Sequence, residues 1–336
     1  MSQNDLSIAN QGFASFRSDL NSALQALGST NSGTSAPSTT YANQLFYDTT
    51  NNILKIRNED NDAFISLFTL DQTNDNIEAL TIDGTLTYNG DLVSSTAGTS
   101  NYRAGVNAGN SITSGGNYNV TVGDEAGTAL TTGDNNVAIG FEALKTEDTH
   151  GNNVAVGYQA LKTQDGGDNN YSVAVGSEAG KAITTGAANT LIGGQAGDSL
   201  TSGGLNVAVG YQALSTEDTH SRNTAIGYQS LKTQDAGANA QSTAVGYASG
   251  KAVTTGIENV FIGASSGESA TTPNYTVAVG KSALGAVLTG DYNTAIGYHA
   301  GLATTTGTEN TFVGSLTGDA TTTGIRNVAV GKDALT

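Results

Sequence analysis

The chain lacks several residue types on which disulfide-rich, thiolate-metal and nucleic-acid-binding proteins depend. Its 336 residues include no Cys and no Trp, and only 2 Pro and 3 His. Without Cys, neither a disulfide bond nor a thiolate metal site can form. Basic residues are also scarce, because 13 Lys and Arg face 30 Asp and Glu, for a net charge of −17. Since nucleic acids and anionic lipids repel such a surface, we expect no nucleic-acid partner.

Long apolar runs are absent as well. No apolar stretch approaches the roughly 18 residues needed to cross a bilayer. Residues 1–5 begin no basic segment followed by an apolar one, so the sequence predicts no membrane insertion, and we expect synthesis and folding in the cytoplasm.

Glycine is abundant, with 44 residues, and it recurs at fixed spacing. A pentapeptide of the type Asn-Val-Ala-Ile-Gly repeats in steps of 17 residues, with two steps of 19. Its glycines are Gly123, Gly140, Gly157, Gly176, Gly193, Gly210, Gly227, Gly246, Gly263, Gly280, Gly297, Gly314 and Gly331, and a weaker copy precedes them at Gly105. A four-repeat block is duplicated at an offset of 70 residues, so that 146–150 reappear as 216–220. Such periodicity is the signature of a solenoid.

Numbered from the glycine of each of the thirteen full copies, position −1 is always Val or Ile, position −3 is always Val or Thr, and position −2 is mostly Ala. This period of two predicts a β-strand, and we expect positions −1 and −3 to fill the coil while Ala packs on neighbouring backbone. Segments after the glycine, such as 158–161, are candidates for a second strand. Position −7 is mostly Gly, Asn or His, which predicts a positive φ there and a different turn at Pro273.

The fold class that follows is all-β, a parallel β-solenoid or β-roll of 17-residue coils. Coils of that length have a perimeter of at most about 56 Å and stack at about 4.8 Å. One such narrow stack buries little apolar area against the entropy of ordering, so we expect a homotrimer in which neighbouring chains supply further burial.

The pentapeptides at 136–140, 153–157 and 223–227 resemble the head repeats of trimeric autotransporter adhesins, and similar repeats occur in phage tail-fibre proteins. The resemblance covers about two-thirds of the chain and implies a left-handed parallel β-roll with three chains side by side. The repeat of 17 is longer than is usual in that family. An autotransporter also needs a secretion signal and a membrane barrel, which the sequence does not show, so we expect a virion protein instead.

The first ninety residues follow a different pattern. Apolar residues at helical spacing predict a short amphipathic helix at 13–27, either packed on its own domain or part of a docking coiled coil. A linker at 29–40 precedes three apolar runs that predict a small β-meander at 45–68. This segment is similar to the virion-proximal ends of phage fibre and tail proteins. That likeness implies an attachment module at 1–92 that contacts other virion proteins, a linker at 93–100 and a repeat rod at 101–336.

Candidate sites are few. His150 and His220 occupy turns four coils apart and cannot share a metal ion, although a trimer could gather three copies of one His, and His299 is predicted at the surface. The duplicated acidic pair of Glu147 and Asp148 is interpreted as a solvated face, and Asn at position −4 as a structural ladder. We expect no catalytic residue, no metal and no cofactor. The surface-contact candidates follow the repeat glycine and could instead pack between chains; they are Tyr158, Tyr211, Tyr228, Tyr247 and Tyr298.

The sequence therefore predicts a non-enzymatic homotrimeric tail fibre of a bacteriophage virion, anchored by residues 1–92 and projecting its rod toward the host surface. Two alternatives remain open: a head (capsid) fibre, and a receptor-binding adhesin that recognises a host cell-surface glycan or protein. A polysaccharide-degrading tailspike is disfavoured, because a 17-residue coil offers no broad groove.

Overall fold

A computed structural model describes residues 32–38, 40, 42–71, 76–80, 97–166, 170–237 and 239–336. The chain divides into two compact units, residues 1–91 and 92–336. The helix predicted at 13–27 lies outside the described residues. Within the described residues all regular elements are β-strands, which confirms the all-β class.

The first unit contains one five-stranded sheet in sequential order. Its strands are β1 (Ser32–Gly33), β2 (Leu45–Asp48), β3 (Ile53–Arg57), β4 (Phe64–Asp71) and β5 (Asn76–Leu80). β1 pairs in parallel with β2, and the remaining pairs are antiparallel. The predicted β-meander is thus confirmed, with one strand more at each end.

The second unit is a parallel solenoid with one strand per coil, joined into a fourteen-stranded sheet in sequential order. Equivalent repeat positions lie side by side, as where Val137, Ala138 and Ile139 pair with Val154, Ala155 and Val156. The strands are β6 (Tyr102–Ala104), β7 (Val120–Val122), β8 (Val137–Ile139), β9 (Val154–Val156), β10 (Val173–Val175), β11 (Thr190–Ile192), β12 (Val207–Val209), β13 (Thr224–Ile226), β14 (Thr243–Val245), β15 (Val260–Ile262), β16 (Val277–Val279), β17 (Thr294–Ile296), β18 (Thr311–Val313) and β19 (Val328–Val330).

The remainder of each coil consists of turns, so the second strand predicted after each glycine is wrong. Residues at positions +2 and +4 have positive φ, as in Glu142 (53°) and Leu144 (51°), and this left-handed conformation is incompatible with a strand. The repeat glycine itself has a φ of 131° at Gly140. A Cβ there would lie 2.4 Å from the carbonyl oxygen of Gly157 in the next coil, so no larger residue fits.

The two faces of each strand are the reverse of those predicted. Ala138 at position −2 is fully buried inside the coil, whereas Val137 at −3 is half-buried and Ile139 at −1 is 37% exposed. The same order recurs from β8 to β18. The expectation that Val and Ile fill the coil is therefore wrong. The physical reason is that the strand faces the turns of its own coil, and one large turn side chain already occupies the space between them.

That large side chain comes from one of two positions. In some coils it is Leu at +4, as with Leu144, and in others +4 is Gly and the filler is at +7, as with Leu130. A large buried residue stands at −2 only where position +4 is Gly both in its own coil and in the preceding coil. Phe261 lies against Gly250 and Gly267, and a Cβ on Gly267 would come within 2.4 Å of the Phe261 ring.

The Asn ladder at −4 is present. The Oδ1 of Asn119 accepts a hydrogen bond from the backbone N of Asn136 (2.9 Å), and the Nδ2 of Asn136 donates to the backbone O of His150 (2.9 Å). Position −7 thus contributes a carbonyl oxygen. In the thirteen full repeats the described residues at −7 have no positive φ, contrary to prediction. Pro273 consequently fits the same pattern, because its carbonyl accepts from Asn259 Nδ2 at 2.7 Å.

Candidate functional site

The predicted contact tyrosines form rows on the outside of the solenoid. Tyr211, Tyr228 and Tyr247 lie on consecutive coils, and their rings stack with centroid separations of 5.8 and 5.2 Å. Tyr158 stacks on Phe141 at 5.6 Å, and Tyr298 on the ring of His299 at 3.8 Å. All five tyrosines are more than 40% exposed.

Stacking limits what these rings can bind. Ring planes in the Tyr228 and Tyr247 pair differ by only 6°, so the two rings cover each other's faces and present mainly their edges and hydroxyl groups. Full ring faces remain only at the ends of a row. Packing against another surface suits this geometry better than flat stacking of a ligand on each ring.

A second aromatic row, at position −5, was not singled out from the sequence. Tyr275 and Tyr292 stack at 5.0 Å, and Tyr118 and Tyr171 are exposed at equivalent positions. The residues at −5 have positive φ, for example 56° at Tyr275. Their residue type varies from coil to coil, which makes the row hard to recognise in the sequence.

Two histidines lie in carboxylate clusters that span neighbouring coils. In the first cluster, Glu147 Oε1 accepts a hydrogen bond from the backbone N of His150 (3.0 Å) and lies 2.9 Å from His150 Nδ1. Asp165 of the next coil has its Oδ1 3.9 Å from the same nitrogen. Together with Asp148, these residues place four potential ligand atoms within 4.8 Å of one another.

The second cluster repeats this arrangement 70 residues later with Glu217, Asp218, His220 and Asp235. His220 Nδ1 lies 2.5 Å from Glu217 Oε1, 3.7 Å from Asp235 Oδ1 and 3.9 Å from Asp218 Oδ1. The side chains of Asp218 and Asp235 are about half exposed, while that of Glu217 is fully buried.

The interpretation of Glu147 as part of a solvated face is wrong, because Glu147 and Glu217 are both fully buried. Each stands at +7 of a coil in which Leu at +4 already fills the interior. Burial raises the pKa of both carboxyl groups, and hydrogen bonds from His150 and His220 partly oppose that shift. The sequence did contain a signal for the cluster. Residues 147–150 and 164–165 are duplicated together, and Asp165 follows Glu147 by one coil.

The clusters differ in the contact made by the second oxygen of the buried carboxylate. Asn170 Nδ2 donates to Glu147 Oε2 at 3.0 Å, but the residue equivalent to Asn170 is Ala240. Among the described residues Glu217 Oε2 consequently has no hydrogen-bond partner, whereas the buried Oε1 atoms of Gln164 and Gln234 lack one beside both clusters. Buried oxygens without a partner carry a desolvation penalty.

Other acidic residues have structural partners. Glu142 accepts hydrogen bonds from Lys145 and Gln159 and pairs with Lys162, each at 2.7 Å. These contacts, led by the bond from Lys145, lower the pKa of Glu142 to about 2. Asp134 and Asp291 accept backbone N–H bonds from the preceding coil at 2.7 and 2.8 Å.

The described residues of the second unit thus define a parallel β-solenoid repeat protein. Comparison with known proteins finds no matching family model, no matching curated protein and no matching solved structure. In the part of the chain that the structure describes, no helix has the length and apolar character required to cross a membrane.

Proposed function

We propose that this chain is a non-enzymatic structural fibre subunit of a bacteriophage virion, and that three copies associate through their solenoids. The observation that carries the proposal is the outward face of the fourteen-stranded sheet. In thirteen of its strands the −1 residue is Val or Ile, and this residue is 37% exposed at Ile226 and 41% exposed at Ile296. Apolar side chains in so regular a row are suited to contact with another protein surface.

The size of this face supports association between copies. Fourteen strands spaced about 4.8 Å apart, each with about 10 Å of width, give an area of roughly 600 Å². That is the upper end of the apolar patches found on monomeric proteins, about 300–600 Å². Identical copies placed side by side would cover it with matching rows at the same spacing, and the stacked tyrosines would extend the contact.

Residues 1–92 are proposed to attach the fibre to other virion proteins, with the solenoid projecting toward the host surface. The tail is favoured by the likeness of the first ninety residues to virion-proximal segments of fibre and tail proteins, and the head (capsid) remains the alternative position. Electron microscopy of virions labelled with antibody against 101–336 tests this. Tail decoration supports the tail fibre, head decoration the alternative, and unlabelled virions contradict both.

Sedimentation equilibrium tests the association itself. The expected mass is about 102 kDa, three times the 33.9 kDa of one chain. Changing Ile192 and Ile226 together to Lys should give folded monomers, because two charges would enter the apolar face. The matched control variant changes Val287 and Ile325 to Lys. These two residues are at least as exposed as Ile192 and Ile226 but lie outside the strands, so the control variant should stay trimeric. A monomeric wild-type chain would overturn the proposal.

A receptor-binding adhesin is the second candidate, favoured by the exposed tyrosine rows. The ligand would be a host surface glycan bound at the end of a tyrosine row, where one ring face is open. Screening the purified protein on host glycans should then reveal saturable binding that Tyr211→Ala and Tyr247→Ala abolish. Absence of binding, or binding that neither change affects, would contradict the receptor-binding function.

A further inference from the structure

The second histidine–carboxylate cluster combines three features of a metal centre. Its four potential ligand atoms come from two adjacent coils, its charge is strongly negative, and its deepest carboxylate is incompletely satisfied. Among the residues that the structure describes, neither Lys nor Arg forms an ion pair with Glu217, Asp218 or Asp235.

We propose that Glu217, Asp218, His220 and Asp235 form a Zn²⁺ site. An imidazole nitrogen with carboxylate oxygens is a ligand set that Zn²⁺ accepts, at bond lengths of about 2.0–2.2 Å. Tetrahedral bonds of that length separate ligand atoms by about 3.4 Å. The distances from His220 Nδ1 to the three oxygens, 2.5, 3.7 and 3.9 Å, bracket this spacing.

The second observation is independent of the clustering. Glu217 is fully buried, yet among the described residues its Oε2 has no hydrogen-bond partner. Electron-rich buried oxygens without a donor indicate a missing electropositive group. A cation held by the Glu217 carboxylate supplies that group, and the half-exposed Asp218 and Asp235 provide its route from solvent.

The surroundings of His220 suit metal ligation by Nδ1. The other ring nitrogen, Nε2, lies 3.3 Å from Thr219 Oγ1, so it can carry the proton and fix the ring while Nδ1 binds the ion. Because Asp235 comes from the next coil, the ion would join two coils beside the longer 19-residue step that ends at Gly246. The site is independent of the proposed fibre function.

The first cluster provides an internal comparison. There Asn170 donates to Glu147 Oε2, which satisfies the buried carboxylate without an ion and lowers its electron density. We therefore expect Zn²⁺ to bind more weakly at Glu147, Asp148, His150 and Asp165.

Isothermal titration of the chelator-treated full-length chain with ZnCl₂ tests the site. One tight site per chain is expected, and His220→Ala or Asp235→Asn should weaken it at least a hundredfold. The matched changes His150→Ala and Asp165→Asn should alter it less than twofold. Ala240→Asn, which introduces the donor of the first cluster, should weaken it about tenfold.

Circular dichroism of each variant verifies that the solenoid is folded, and thermal melting supplies a second readout. Zn²⁺ should raise the melting temperature of the wild-type chain and of Asp165→Asn, but not that of Asp235→Asn. Absence of saturable binding, or tight binding that survives both His220→Ala and Asp235→Asn, would overturn the proposal.

Discussion

Coils with Leu at +4 and coils with Gly at +4 solve the same packing problem in different ways. Leu161 enters the interior directly, whereas in the coil of Gly197 the interior is filled by Leu200 at +7 and by Leu191 on the strand. The volume inside the solenoid is therefore held nearly constant, while the residue that supplies it changes. Close packing of protein interiors imposes this exchange.

The difference also decides where polar groups are buried. When Leu occupies +4, position +7 no longer has to supply an apolar side chain, and Glu147, Gln164, Glu217 and Gln234 stand there fully buried. The histidine–carboxylate clusters thus occur only beside Leu coils. A packing choice at one position has created the chemical environment at another.

The largest effect is expected from a charge placed in the interior common to both kinds of coil. Ala208→Asp would bury a carboxylate at a site with 0% exposure, which should cost about 4 kcal/mol or more and prevent folding of the solenoid. Val209→Asp, at the neighbouring outward position, should leave the circular dichroism spectrum unchanged. Equal stability of the two variants in denaturant would contradict the assigned faces.

A smaller effect is expected from changing a Gly coil toward a Leu coil. Gly267→Leu should destabilise the protein by about 3 kcal/mol, because its Cβ would lie 2.4 Å from the Phe261 ring. Backbone strain adds to this cost, because Gly267 has a φ of 58°, but Leu144 adopts a φ of 51° at the equivalent position, so strain alone does not exclude Leu.

Phe261→Ala alone should also cost about 3 kcal/mol through the cavity it leaves. The double variant Phe261→Ala, Gly267→Leu should recover at least half of the stability lost in the two single variants. The reason is that the two changes together give the arrangement of other coils, with Ala at −2 and Leu at +4. A double-mutant cycle by urea unfolding measures this coupling. Additive effects would show that the two positions do not share one space.

The smallest effect concerns two Leu coils that differ in charge: one has Glu142 and Lys145, and the other has Gln212 and Ser215 at the equivalent positions. The Glu142 pKa is lowered from 4.5 to about 2, so its ionised form stabilises the fold above pH 4.5, and this contribution is lost as the pH falls to 2. Glu142→Gln should lower the melting temperature by about 2 °C at pH 7 and should reduce its decline below pH 4.5. Parallel melting curves would contradict this.

Much of the fold could be predicted from the repeat alone, including strand positions, parallel register and the Asn ladder. The orientation of the strand could not be obtained from residue size, because Val and Ile look like core residues beside Ala. The decisive signal was the pairing of Phe261 with Gly250 and Gly267, which the sequence contains but single-position counting misses. Residues that pack across the interior of a coil are far apart in the sequence, so their residue types must be compared in pairs. The repeat pattern of single positions does not show this relation.

The acidic clusters were missed for a related reason. Glu217 and Asp235 are 18 residues apart, and they meet only because consecutive coils lie side by side. Local motif searching treats such residues as separate turns. Knowledge of the coil length would have brought them together, but burial of Glu217 follows from Leu214 filling the interior, which requires the three-dimensional packing.

The left-handed residues of each coil have a consequence for how the protein folds. Glu142 and Leu144 each adopt a conformation that costs about 1–2 kcal/mol for an L-residue; every coil repeats this cost at +2, and the Leu coils repeat it at +4 as well. Hydrogen bonds such as that from Leu144 N to Ala160 O, between successive coils, offset it only once a neighbour is in place. Folding should therefore begin with a rare nucleus of several coils and then advance rapidly from one coil to the next, like crystal growth along a single axis.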